Sequence, residues 1–211
     1  MTSPTDALEK LRKGNRRFVA GDSEGESIAR HAHQAGMSGE QSPFAIILAC
    51  SDSRVPVELV FDQGFGDLFV IRVAGNVVAP SQIGSIEFAA SQFGTRLVVV
   101  LGHSNCGVVV AALKELSLEQ THRSPNLRAI VDRVHPAIEP VIAANSDLDE
   151  DALTAAAVRA NILASVERLS HGSLILEQLI NAGDLVVVGA EYSIETGNVE
   201  FLDRNQGKES P

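Results

Sequence analysis

Residues 44–54 read FAIILACSDSR. Phe44 to Ala49 is short, continuously apolar and β-prone, the pattern of a strand buried on both faces. The run ends in Cys50, with Asp52 and Arg54 following at two-residue steps. In an extended backbone those three side chains point the same way. Residues 97–107, LVVVLGHSNCG, repeat the design, with His103 and Cys106 after an apolar run. The chain has two cysteines, and each stands just past a strand-like run. If the two runs lie side by side in one sheet, their ends bring two thiolates, an imidazole and a carboxylate together on one metal.

Outward from these two runs, strands and helices alternate. Thr5 to Val19 reads as a helix, capped by Ser3 or Thr5, with Ala7, Leu8, Leu11 and Phe18 as a loose apolar stripe and Gly21 beyond its end. Gly21 to Pro43 is an irregular connection of a length that compact domains keep for function or for a partner. Val55 to Asp62 gives a helical turn or two, and Asp67 to Val73 a second strand followed by the turn Ala74-Gly75-Asn76. Gln82 to Phe93 fits a helix with Ile83, Ile86, Phe88 and Ala90 inward. Arg96 to Leu101 is the third strand, and Gly107 to Leu116 is helical.

Beyond a polar loop, Leu118 to Ser124, the span Pro125 to Ala144 is helical by pattern, with a kink or break expected at Pro136 and Pro140. Leu153 to Leu169 is an alanine-rich helix, and a further helix runs from Ser173 to about Ala182. Leu185 to Gly189 is a fourth strand. Asn198 to Leu202 is a fifth, returning antiparallel at the edge through the turn Glu195-Thr196-Gly197-Asn198. The expected fold is therefore α/β, a mostly parallel central sheet of four strands plus an antiparallel edge strand, flanked by helices, with an N-terminal helical arm. One domain spans 1–211, with 205–211 a flexible tail. Ligands in such folds bind beyond the carboxyl ends of strands, where Cys50 and His103 fall.

Composition narrows the function classes. The chain has 211 residues, 45% hydrophobic, with a formal net charge of −10. That is enough for one large core, and the acidity disfavours nucleic acid and anionic membranes as partners. Neither a signal-peptide pattern nor an apolar run of roughly 18 residues is present, so a cytoplasmic protein is expected. In a reducing cytosol a cysteine pair serves as metal ligands or catalytic groups more often than as a disulfide.

Zinc takes tetrahedral donors from Cys, His and Asp. Gly102 and Gly107 let the backbone bend around His103 and Cys106. Cys106 falls at the amino end of the following helix, whose free N–H groups favour a thiolate. A cysteine ending an apolar run is more often a buried small residue, and HxxC arises by chance. The two halves together use every cysteine of the chain and outweigh that reading.

CSDSR followed by GHSNCG resembles the zinc signature of the β-class carbonic anhydrases. The likeness extends through GNRRFVAG, FDQGFGDLFVIRVAGN and IGSIEFA, covers Leu8 to Leu116, and continues in pattern through VVVGAEYSIETGNVEFL. The resemblance implies Cys50, His103 and Cys106 as fixed zinc ligands and a fourth position for water, which zinc makes acidic enough to attack CO2 and give bicarbonate. Two thiolates donate more charge than imidazoles would, so activity should favour alkaline pH. Asp52 and Arg54 would form the family's catalytic dyad, Arg54 holding the carboxylate off the metal and Asp52 orienting the nucleophile. As pH falls, Asp52 would close the site as a fourth ligand.

The family's non-catalytic bicarbonate pocket uses a Trp where this chain has Ile47, so that regulation is not expected, although Arg72 and Tyr192 match its other members. Without the pocket, Arg72 reads as a structural ion pair and Tyr192 as a packed residue near the sheet edge. The remaining histidines read as surface or loop residues. The resemblance also implies a homodimer or dimer of dimers, residues 1–43 packing on the partner subunit. The alternatives are a CS2 or COS hydrolase on the same site and a non-enzymatic module with a closed structural zinc site. A redox protein using Cys50 and Cys106 ranks last, for want of a CxxC.

Overall fold

The computed structural model describes residues 2–23, 41–116, 124–145 and 147–202. Most of the expected 21–43 connection, the 118–124 loop and the C-terminal tail lie outside them. Five strands form one sheet: β1 (Ala45–Ala49), β2 (Leu68–Arg72), β3 (Leu97–His103), β4 (Val186–Tyr192) and β5 (Val199–Leu202), in the order β2-β1-β3-β4-β5. The first four are parallel, and β5 pairs antiparallel with β4. This is the expected sheet.

β1 and β3 are buried along their whole length, as unbroken apolar runs in a central parallel sheet must be. Their alternate residues feed two cores. Ile46, Leu48, Val98 and Val100 face α3 (Pro80–Gln92), α4 (Gly107–Leu116), α5 (Pro125–Ala144), α6 (Glu150–His171) and α7 (Leu174–Asn181). Ile47, Val99, Leu101 and Tyr192 face α1 (Pro4–Ala20) and the short α2 (Val57–Val60).

α1 starts where the Ser3 hydroxyl accepts from the Asp6 N–H at 3.1 Å. Its apolar stripe, Ala7 and Leu11, is covered within the chain. Buried Asn15 sews it down: Nδ2 donates to Val60 O at 3.1 Å and Gly197 O at 2.8 Å, and Oδ1 accepts from the Val199 N–H at 2.9 Å.

Three local expectations change. Phe88 is 52% exposed rather than inward, lying edge-on to Phe93 beside Phe69. α5 runs unbroken through Pro136 and Pro140. β3 and β4 extend to His103 and Tyr192, which pair in register. The polar ends of these strands escaped an apolar-run criterion, yet the parallel ladder continues through them.

Candidate metal centre

β1 and β3 are neighbours, with Ala49 opposite Leu101. Both strand ends therefore deliver their polar residues to the same side of the sheet. One donor atom each from Cys50, His103 and Cys106 lie within 4.8 Å of one another, and all three residues are buried. This is the trio expected from the sequence.

The His103 ring is oriented by its own turn. Nδ1–H donates to the Ser104 carbonyl at 2.9 Å, which leaves Nε2 as a bare lone pair. Nε2 is buried and has no hydrogen-bond partner. A buried unpaired acceptor is costly, and a cation is the partner that fits it. Cys50 Sγ accepts the Gly75 N–H at 3.3 Å. Cys106, foremost, with the nearby His103 ring and the Gly75 N–H, outweighs burial and holds the Cys50 thiol down to about 4. Cys106 is pushed up, first by its hydrogen bond with Cys50 and then by burial. Burial opposes a charge on His103, but the adjacent Cys50 sulfur and its negative charge outweigh it and raise the His103 pKa.

Cys106 precedes α4, and its carbonyl accepts the Val110 N–H at 3.0 Å. The Val108 and Val109 N–H groups work to lower its pKa, the helix-end effect expected from the sequence. Asn105, between the two ligands, adopts a left-handed φ of 54° that closes the turn.

Asp52 sits beside the trio, Oδ2 lying 3.9 Å from His103 Nε2. Arg54 grips it as a fork: Nε to Oδ1 at 3.0 Å and Nη2 to Oδ2 at 2.8 Å, with the Arg54 N–H adding a third bond to Oδ1 at 2.9 Å. These bonds hold the carboxyl well below the usual carboxylate range. The expected dyad is formed, and Asp52 is engaged by arginine.

The supporting roles of two residues went unread in the sequence. Among the described residues Arg72 makes no ion pair. Its Nε donates to Cys50 O at 3.0 Å and its Nη2 to Asp52 O at 2.5 Å, clamping the backbone of a ligand and of the dyad. Ile47 is fully buried in the core beneath α1, and Tyr192 is 5% exposed on β4 next to the edge strand. Glu195, read only as a turn residue, accepts from Ser104 Oγ at 2.7 Å, Asn105 Nδ2 at 3.1 Å and Ser193 Oγ at 3.1 Å. It ties the His103–Cys106 turn to the β4–β5 hairpin. No local pattern announces the contacts of Arg72 with the Cys50 loop or of Glu195 with Ser104 and Asn105, because those partners lie far away along the chain.

Three buried soft and imidazole donors at parallel strand ends, with a forked carboxylate beside them, could hold a metal and match the catalytic kind of site, which uses three protein ligands. A carbonic anhydrase family model matches residues 45–199. The chain is 36% identical over 211 residues to carbonic anhydrase 2 of Mycobacterium tuberculosis, covering 99% of this chain and 98% of that one. It is 38% identical over 203 residues to the carbonic anhydrase of Mycolicibacterium smegmatis, covering 95% and 94%. Among solved structures, the β-carbonic anhydrase CcaA superposes with a TM-score of 0.75 at 29% identity, covering 95% and 90%. A tetrameric β-carbonic anhydrase of Sordaria macrospora shares the fold, with a TM-score of 0.68 at 24% identity, covering 82% and 89%. The chain belongs to the carbonic anhydrase family, in its β class.

Proposed function

We propose that the protein catalyses the reversible hydration of CO2 to bicarbonate and a proton, with zinc held by Cys50, His103 and Cys106. The observation that carries this is the bare, buried His103 Nε2 facing two thiols, 3.9 Å from a carboxylate that Arg54 already engages. Zinc in that donor set supplies a Lewis acid that makes water nucleophilic near neutral pH.

The chain's own residues do the rest. Asp52 stays ionised throughout the working pH range, because Arg54 depresses its pKa. Its carboxylate is placed to accept the O–H of the substrate water and so aim an oxygen lone pair at CO2. Arg54 occupies both carboxylate oxygens and restrains Asp52 from becoming a ligand itself. That restraint favours the enzyme over a closed structural site.

The test is stopped-flow CO2 hydration at pH 8.5 on the zinc-loaded protein, on the protein stripped of zinc, and after zinc is restored. Activity should vanish with the metal and return with it. A zinc-loaded protein no faster than buffer would overturn the assignment. The same reading assigns a cytoplasmic homodimer or dimer of dimers. The assembly is supported by the tetrameric relative that shares the fold.

A further inference from the structure

α6 carries a polar stripe at positions i, i+4 and i+7, with Asn161 and Ser165 on its inner face and Arg168 at its exposed margin. Asn161 is 2% exposed and Ser165 5%. All three reach main-chain carbonyls of one short segment. Asn161 Nδ2 donates to Gly75 O at 2.9 Å, Ser165 Oγ to Asn76 O at 3.3 Å, and Arg168 Nη1 to Val78 O at 3.4 Å. That segment has no strand ladder to hold it. Ala74–Asn76 is a single 3-10 turn in which Gly75 adopts φ 69° and ψ 18°. A Cβ on Gly75 would also lie 2.8 Å from Val108 Cγ1. The N–H of this residue is the one that meets Cys50 Sγ at 3.3 Å.

We infer that Asn161, supported by Ser165 and Arg168, is a positioning residue for Cys50: it fixes Gly75 so that its N–H points at the sulfur. The inference rests on the reading of Cys50 as a metal ligand. Gly75 has more backbone freedom than any other residue type, and its left-handed conformation is one of several open to it. A buried bond to its carbonyl selects that conformation, because losing the bond leaves the carbonyl unsatisfied away from water. Asn161 pins the peptide plane after Gly75, and the Asn76 N–H donates to Val73 O at 3.0 Å across the turn, so the preceding plane, which carries the Gly75 N–H, is held between two fixed points. An N–H···S bond draws charge from a thiolate, so the stripe sets how strongly Cys50 donates to a metal.

Asn161→Leu removes the donor while keeping the volume, and Ser165→Ala removes the milder contact. Three readouts are taken. The first is amide exchange at Gly75 in the metal-free protein. The second is the thiolate-to-metal charge-transfer band of the cobalt(II)-substituted protein. The third is zinc affinity by competition with a chelating dye. In Asn161→Leu, Gly75 exchange should speed up about tenfold or more, the band should move to longer wavelength, and affinity should fall about tenfold. Ser165→Ala should shift each in the same direction by less.

A lower melting temperature with exchange, band and affinity unchanged would mean that Asn161 only packs α6 on the sheet, and the inference falls. If Asn161→Leu does not fold, Ser165→Ala decides by the same criteria. A wild-type protein with no charge-transfer band would sink the metal reading itself. The exchange measurement, made without metal, still decides whether the stripe fixes Gly75.

Discussion

Arg72 shows how one exposed side chain serves a buried site. It leaves the end of β2 opposite Ala49 and spans the carbonyls of Cys50 and Asp52. Past β1 the backbone has no ladder partner, so these two bonds replace one. Charge-assisted hydrogen bonds are each worth about 1.5–3 kcal/mol when a charged group is involved, less where water competes. Arg72→Ala should therefore lower kcat about tenfold or more while zinc stays bound one to one. Arg72→Lys, which keeps the charge and reaches one carbonyl, should recover part of the loss. Stopped-flow rates beside zinc content by atomic absorption check this. Full kcat in Arg72→Ala would show that the loop holds its shape without the clamp.

At the scale of elements, the strands and the metal trio were legible because they depend on short-range pattern. Unbroken apolar runs ending in Cys50 and in His103 and Cys106 mark buried parallel strands whose ends meet at a ligand site. What lay hidden was contact between elements. Leu153 to Leu169 is recognisable as a helix, but nothing local says that Asn161 reaches Gly75, 86 residues away. The glycines of β3 and β4 explain how α6 comes so close. A Cβ on Gly102 would lie 2.5 Å from Ile162 Cδ1, and one on Gly189 2.8 Å from Ile162 Cγ2. Phe88 misled because a helix beside an edge strand has an apolar flank that the sheet does not cover. Gly102→Ala should push α6 off the sheet, costing about 1–3 kcal/mol as overpacked cores do, and it lies next to the ligand His103. A lower unfolding midpoint in urea together with weaker zinc binding is expected. An unchanged midpoint would show that Ile162 gives way freely.

As a whole molecule, the described residues leave the Asp52–Arg54 side of the site exposed. Arg54 is half-exposed, and the loop that carries it runs straight into α2. There Leu59 is 53% and Phe65 61% exposed, large apolar groups within a few residues of each other. On α1, Ala7 and Leu11 are covered within the chain while Leu8 and Phe18 are only partly buried. The surface around Leu59 and Phe65 is open, and a second copy of the chain seated there would shield the Asp52–Arg54 side of the cleft from bulk water. Light scattering after gel filtration should give twice the 22.4 kDa chain mass, or four times it if dimers pair. Leu59→Asp with Phe65→Asp should shift the population towards monomer and lower kcat/KM, because a wet cleft weakens the interaction of Asp52 with the substrate water. Wild-type protein that is monomeric at micromolar concentration and fully active would show that one chain completes its own site.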